Sequence, residues 1–253
     1  MNGYDIRDLK LAGVKWEISD IPVALRAKWD AAAPATPAAT KSVPGAGVNI
    51  VPPIAPVANI SVETAESMAS RPADIDNLIR LIGEFNHPLR SAATQVVFPN
   101  IAKNPNGLVV VTDVPGSDDD ASGHILSGAV GELFDKMLAA IGMDRDSVSI
   151  IPIIFWRTPG GRTPNADELA LARPFVNRLL EFLHPRVILT LGATPAKEIA
   201  NVQLSRDQGG VTELGDGKHV MSIYHPNYLL LKPSAKRDVW TALQNLQILL
   251  KNQ

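Results

Sequence analysis

Apolar side chains recur along the chain with two different periods. Between residues 73 and 85, Ile75, Leu78, Ile79 and Ile82 are spaced by three and four positions, which is the spacing of one face of an amphipathic helix. The same period predicts further helices over residues 130–141, from 165 to about 183, from about 194, and from about 235 to 250. Asn165 is a good N-cap for its helix, because Glu168 follows three residues later.

Four short runs are instead apolar at nearly every position. They cover residues 107–112, 148–155, 187–191 and 220–223, and continuous apolar runs of this length are typical of strands buried on both faces. Strands that alternate with helices predict a three-layer α/β/α fold with a mainly parallel, four-stranded central sheet. Ligands of such sheets bind beyond the carboxyl ends of the strands, so the segments that follow the strands are the candidates for function.

The first sixty residues lack both patterns. We interpret residues 1–30, with Ile21, Leu25 and Trp29 at helical spacing, as an N-terminal segment that is either a disordered leader or a partner-binding peptide. Residues 31–60 are rich in alanine and proline and almost uncharged, which is typical of a flexible linker. The folded domain is therefore expected over residues 61–253.

Composition narrows the function classes. The chain is 45 % hydrophobic and 20 % charged, as globular proteins are. It has neither an apolar run of the roughly 18 residues that a membrane span needs nor an apolar signal core, so we expect a cytoplasmic protein with no membrane partner, and a monomer. The absence of cysteine excludes disulfides, thiolate metal sites and cysteine nucleophiles. The net charge of −2 requires any contact with nucleic acid to use a local basic patch.

Residues suited to chemistry follow the strand ends. The first strand ends at Asp113, and the fourth ends at His225. Three further segments, between or after these two ends, combine proline with basic residues, and two of them also contain glycine. In order, the segments are 112–116 (TDVPG) with aspartates at 118–120, 157–164 (RTPGGRTP), 191–197 (LGATPAK), 225–230 (HPNYLL) and 232–237 (KPSAKR).

Four of these five segments also have a plain structural interpretation. An aspartate before Val-Pro-Gly is typical of a turn, and His225 can cap the loop between strand and helix. The aspartates at 118–120 are typical of a solvated loop, Gly192 favours close packing of a strand and a helix, and the basic residues near the C-terminus can be ordinary surface charge.

The order, spacing and residue types of these segments resemble the sequence motifs of the family-four uracil-DNA glycosylases, the thermostable bacterial and archaeal type. The first motif of that family reads G-E-x-P-G and precedes an acidic run, and the last reads H-P-x-x-L-L before a P-S-A-K-R-like stretch. The resemblance extends from about residue 78 to residue 250. It implies base-excision DNA repair, with DNA as the partner, by hydrolysis of the bond between uracil and deoxyribose after the base has left the duplex.

The resemblance also assigns roles. Asp113 matches the motif glutamate, one methylene shorter, and a carboxylate there can stabilise the sugar cation and orient water. His225 matches the motif histidine, which can donate to the leaving uracil anion. The implied substrate pocket contains Val114, Pro115, Gly116, His124, Leu126 and Pro152. The implied DNA contacts are Arg162, Gly192, Ser234, Lys236 and Arg237.

The chain departs from the family at the iron–sulphur cluster. Family-four enzymes hold a four-iron cluster through four cysteines, and the matching positions here are Glu84, His87, Trp156 and Ala172. A thiolate-bound cluster cannot form with these residues. We therefore expect no cofactor and no metal, with Trp156 filling the vacated volume.

The pocket departs from the family as well. Leu126 replaces the phenylalanine on which uracil stacks, Pro152 replaces the asparagine that reads the uracil edge, and His124 is either a substitute donor or a surface histidine. Three hypotheses remain open. They are a glycosylase for uracil or another deaminated base, a catalytically weakened or inactive DNA-binding or repair-associated module of the same fold, and a partner-binding protein in which the N-terminal tail and the domain serve in a complex.

Overall fold

The computed structural model describes residues 60–215 and 217–251. The predictions for residues 1–30 and for the linker that follows lie outside these residues, apart from Ile60. No helix within the described ranges is long and apolar enough to cross a membrane.

The centre of the domain is a five-stranded sheet. The strands are β1 (Leu108–Thr112), β2 (Ser149–Pro152), β3 (Val187–Leu191), β4 (Val211–Glu213) and β5 (His219–Ile223), in the order β2-β1-β3-β5-β4. All neighbours are parallel except β4, which runs antiparallel to β5. The predicted fold class is confirmed. The prediction of four strands missed β4. This strand has only three residues and lies at the exposed edge of the sheet, where Val211 is 47 % exposed, so it forms no apolar run in the sequence.

Nine α-helices surround the sheet within the described ranges. They are α1 (Val62–Ser70), α2 (Ile75–Glu84), α3 (Ser117–Ser122), α4 (Gly128–Ala140), α5 (Ala166–Leu183), α6 (Ala193–Ala200), α7 (Leu204–Asp207), α8 (Pro226–Leu231) and α9 (Lys236–Lys251). The five helices predicted from the apolar period are confirmed, with ends that differ by at most two residues. The predicted cap of α5 is also confirmed, since Glu168 N–H donates to Asn165 Oδ1 at 2.8 Å and Asn165 N–H donates to Glu168 Oε2 at 2.8 Å.

Alternate strand residues face two separate cores. Val110 and Leu189 pack in one core with Phe134 of α4 and Leu243 of α9. Their neighbours Val109 and Ile188 pack in the other core, with side chains of α1, α2 and α5. This alternation on parallel strands gives the three layers and leaves the carboxyl ends of the strands free to form a site.

Aromatic rings occupy the region that the resemblance assigned to a cluster. Trp156 is fully buried, and its ring stacks on the His87 ring with centroids 4.6 Å apart. Phe85 and Phe175 adjoin them, with centroids 4.8 Å apart. Both ring nitrogens of His87 are engaged, because Leu89 N–H donates to Nδ1 at 3.2 Å and Nε2 lies 3.0 Å from the carbonyl of Glu168. Burial lowers the pKa of His87, so the imidazole packs as a neutral ring.

Candidate active site

A cavity of about 440 Å³ opens at the carboxyl edge of the sheet. The segment after β1 and the segment after β5 form facing parts of its wall, and the loop after β2 adds a third part. The wall consists of residues 113–119, Ser127, Val130, Arg157, Gly161, His225, Asn227, Tyr228 and Leu231. The structure therefore brings together Asp113 and His225, which lie 112 positions apart in the sequence.

Asp113 is held in a fixed position beside β3. Its Oδ1 accepts from the Val114 N–H at 2.9 Å, and the Thr194 hydroxyl donates to the same carboxyl group. Gly192 lies against this side chain, since a Cβ at that position would be 2.7 Å from Asp113 Oδ2. Burial raises the pKa of the Asp113 carboxyl, and the two hydrogen bonds lower it in part. A carboxylate with a raised pKa and little surrounding water is suited to act as a base.

His225 is a neutral imidazole with a defined tautomer. The Asn227 N–H donates to its Nδ1 at 3.2 Å, and its Nε2 lies 3.1 Å from Thr112 Oγ1. Burial lowers the pKa of His225 to about 4, so the ring is uncharged at neutral pH. Because Nδ1 accepts a hydrogen bond, the proton of the neutral ring is on Nε2. His225 is the N-cap of α8, as its structural interpretation anticipated, and it also lines the cavity.

Two aspartates of the acidic run after β1 accept hydrogen bonds from backbone N–H groups in and near the cavity wall. Asp119 accepts from the Ser127 N–H at 2.6 Å and from the Gly116 N–H at 3.0 Å. Asp120 accepts from the Thr94 N–H at 2.8 Å. Both side chains are buried, so the interpretation of the whole run as a solvated loop is wrong for these two residues. A buried carboxylate is tolerated there because backbone donors satisfy it.

The predicted pocket residues divide into two groups. Val114, Pro115 and Gly116 line the cavity. Leu126 is 2 % exposed and packs in the core with a left-handed φ of 52°, and Pro152 is buried in β2 opposite Thr112. His124 is exposed and forms a β-bridge with Phe98. Within residues 60–215 and 217–251, these last three stand apart from the cavity wall, and their contact with a base stays a prediction.

The predicted DNA contacts are also dispersed. Ser234, Lys236 and Arg237 are exposed where α9 begins. The Arg162 guanidinium instead binds Glu168, with Nη1 2.8 Å from Oε2, so its charge is largely neutralised within the domain. Gly192 is buried, and the feature it contacts is the Asp113 carboxyl group. The exposed residues remain candidates for binding phosphate.

Three of the wall residues that are not among the predicted site residues have side chains suited to contact a ligand. Tyr228 is 37 % exposed, and its ring centroid lies 4.7 Å from that of Tyr224. Leu231 is 78 % exposed, and Arg157 is partly buried on the loop after β2. The spacing of three from His225 to Tyr228 and on to Leu231 places them on one side of α8, and this spacing is a signal in the sequence that would have found two of the three.

Comparison with known proteins finds relatives that match about half of the chain. A sequence profile of the uracil DNA glycosylase superfamily matches residues 98–247. The chain is 33 % identical over 149 residues to the type-4 uracil-DNA glycosylase of Archaeoglobus fulgidus, which covers 55 % of this chain and 75 % of that protein. The corresponding protein of Thermotoga maritima is 32 % identical over 126 residues, covering 49 % and 66 %. That of Pyrobaculum aerophilum is 29 % identical over 145 residues, covering 52 % and 72 %.

Proposed function

Because this chain belongs to the uracil-DNA glycosylase superfamily, we propose that it is a DNA repair glycosylase that hydrolyses the N-glycosidic bond of uracil or another deaminated base. The observation that carries the proposal is the single cavity that Asp113 and His225 share. The Asp113 carboxylate can stabilise the positive charge that develops on the sugar, and the His225 imidazole can stabilise the negative charge that develops on the base.

The Asp113 carboxylate acts at the sugar. As the bond between C1′ and the base nitrogen breaks, its electron pair leaves with the base and positive charge develops on the sugar. A carboxylate stabilises this charge and accepts a proton from the water that attacks C1′. Its contacts with Val114 and Thr194 fix its direction, so little reorganisation is needed in the transition state.

His225 acts at the base. A neutral imidazole with its proton on Nε2 can donate a hydrogen bond to the carbonyl oxygen on which negative charge develops. The lowered pKa, about 4, keeps the ring neutral across the physiological range. It therefore stabilises the leaving anion as a hydrogen-bond donor, and the loss of one such donor typically costs about 10²–10³ in rate.

The remaining wall residues suit an extruded nucleotide. Tyr228 and Val130 offer apolar surface to a base, and Arg157 adds a positive charge. The exposed side chain of Leu231 at the same wall has the character of the apolar wedges that fill a disrupted base stack. The exposed cations Lys236 and Arg237 give the local basic patch that a chain of net charge −2 needs for binding phosphate.

The test is an excision assay on oligonucleotides that carry one uracil, hypoxanthine or xanthine, in single and double strands, with the undamaged sequence as the control. The proposal predicts alkali-labile abasic sites in at least one damaged substrate and none in the control. Salt-dependent binding of DNA without excision of any base would contradict it and favour the non-catalytic DNA-binding module. Failure to bind DNA at either of two salt concentrations would favour the partner-binding hypothesis.

A further inference from the structure

Thr112 lies outside the cavity wall and connects the segment of Asp113 with the segment of His225. It is the last residue of β1, directly before Asp113, and it is 3 % exposed. Its hydroxyl oxygen lies 3.1 Å from Nε2 of His225, which follows β5 two strands away. The contact therefore links the segment that carries the carboxylate to the segment that carries the imidazole.

The hydrogen-bond pattern defines the direction of this contact. Asn227 N–H donates to Nδ1 of His225, so Nδ1 carries no proton and Nε2 carries the only N–H of the neutral ring. The Thr112 hydroxyl is the acceptor for that N–H. The donor that the proposed mechanism needs in the cavity is thus engaged by a residue that is not part of the cavity wall within the described ranges.

A packing role alone does not account for a threonine at this position. Thr190, which is also buried in the sheet, has its hydroxyl 2.7 Å from the Ser222 hydroxyl of the adjacent strand. The Thr112 hydroxyl instead reaches out of the sheet to a side chain of the candidate site. Valine would fill the same volume and would satisfy strand geometry equally well, so the hydroxyl itself is the feature to explain.

We propose that the Thr112 hydroxyl is a positioning group that holds the Nε2–H of His225 away from the cavity, so that a bound base must displace it to receive that hydrogen bond. The inference rests on the proposed function and adds a residue that controls it. The contact keeps a buried donor satisfied in the free protein, and its loss when the base binds opposes catalysis. A typical neutral hydrogen bond corresponds to a factor of about 2 to 10 in an equilibrium.

The test compares Thr112→Val, which keeps the shape and removes the acceptor, with Thr112→Ser, which keeps the hydroxyl. Single-turnover excision of uracil should be about 2- to 10-fold faster in Thr112→Val than in the wild type, and Thr112→Ser should show no such gain. If Thr112 only packed, Thr112→Val would leave the rate unchanged or lower it, and would not raise it.

A second measurement does not depend on catalysis. Nitrogen-15 NMR of the histidine side chains should show His225 protonated at Nε2, with slow hydrogen exchange in the wild type and in Thr112→Ser, and with faster exchange in Thr112→Val. Excision that is unchanged or slower in Thr112→Val, or hydrogen exchange that is unchanged by it, would overturn the inference and leave the proposed function intact. If neither the wild type nor Thr112→Val excises any base, the proposed function fails. The exchange rates alone then decide whether the Thr112 hydroxyl accepts the hydrogen bond from His225 Nε2–H.

Discussion

Replacement of Gly192 by alanine tests whether the position of the Asp113 carboxyl group controls activity. Gly192 has φ 107° and ψ 172°, a region that is essentially restricted to glycine, so any other residue there costs about 1–3 kcal/mol of stability. The new Cβ would lie 2.7 Å from Asp113 Oδ2, whereas ordinary contacts begin at 3.4 Å. The carboxylate oxygen must therefore retreat by about 0.7 Å, and a misplacement approaching 1 Å can lower a rate by about 10²-fold.

A matched control separates this displacement from backbone strain. Gly142 also has a positive φ, 75°, but a Cβ there meets nothing within 4 Å, and the residue lies outside the cavity wall. Single-turnover excision and denaturant unfolding of both variants should show that Gly192→Ala loses about 10²-fold in rate, whereas Gly142→Ala loses stability only. Wild-type excision by Gly192→Ala would refute the reasoning, because the carboxyl group would then tolerate displacement.

Four further predictions follow from the same structure. The excision rate should fall as the pH is lowered through the raised pKa of Asp113, because only the ionised form stabilises the cation. Because burial raises the pKa of Asp113 in the folded protein, ionisation of its carboxyl group opposes folding as the pH rises from the ordinary aspartate value, about 3.9, to that raised value. Asp113→Asn should therefore unfold at a higher denaturant concentration at pH 7 than the wild type. Replacing Lys236 and Arg237 by alanine should weaken DNA binding and reduce its slope against log salt by about 1 to 2, whereas an unchanged slope would show that these cations do not contact phosphate. Trp156→Ala should cost about 3–5 kcal/mol of unfolding free energy, and Trp156→Phe should cost clearly less, because Nε1 of Trp156 is buried without a hydrogen-bond partner in the described structure; equal losses would contradict the packing argument.

The parts of the fold that follow from local pattern were predictable from the sequence. Buried parallel strands are apolar at nearly every position, so the sequence shows β1, β3 and β5 as continuous apolar runs. The start of α5 is predicted by the capping pair Asn165 and Glu168. The edge strand β4 and the short helices α3 and α8 carry no such period. Their formation depends on contacts with the rest of the domain, which a local pattern does not contain.

The candidate site was predictable where it follows strand ends and not where it depends on the packing between segments. Asp113 and His225 follow directly from the rule that parallel strands end at one edge. The burial of Asp119 depends on backbone donors at Gly116 and Ser127, and a run of charges does not reveal them. Some positions that the family resemblance assigned to the pocket lie outside the cavity wall. Leu126 is the clearest case, because its backbone is left-handed and its side chain packs into the core.

The account depends most on the role of the Asp113 carboxylate, and one measurement tests it directly. Single-turnover excision of uracil from the same oligonucleotide is measured for the wild type, Asp113→Asn and Asp118→Asn, together with the affinity of each for the DNA. Asp118 is an exposed aspartate of the same cavity wall, so its variant removes one charge nearby and leaves Asp113 unchanged. The account predicts that Asp113→Asn binds DNA as the wild type does and excises uracil about 10²-fold more slowly or worse, while Asp118→Asn stays within a few-fold of the wild type. Excision by Asp113→Asn at the wild-type rate would contradict the central claim.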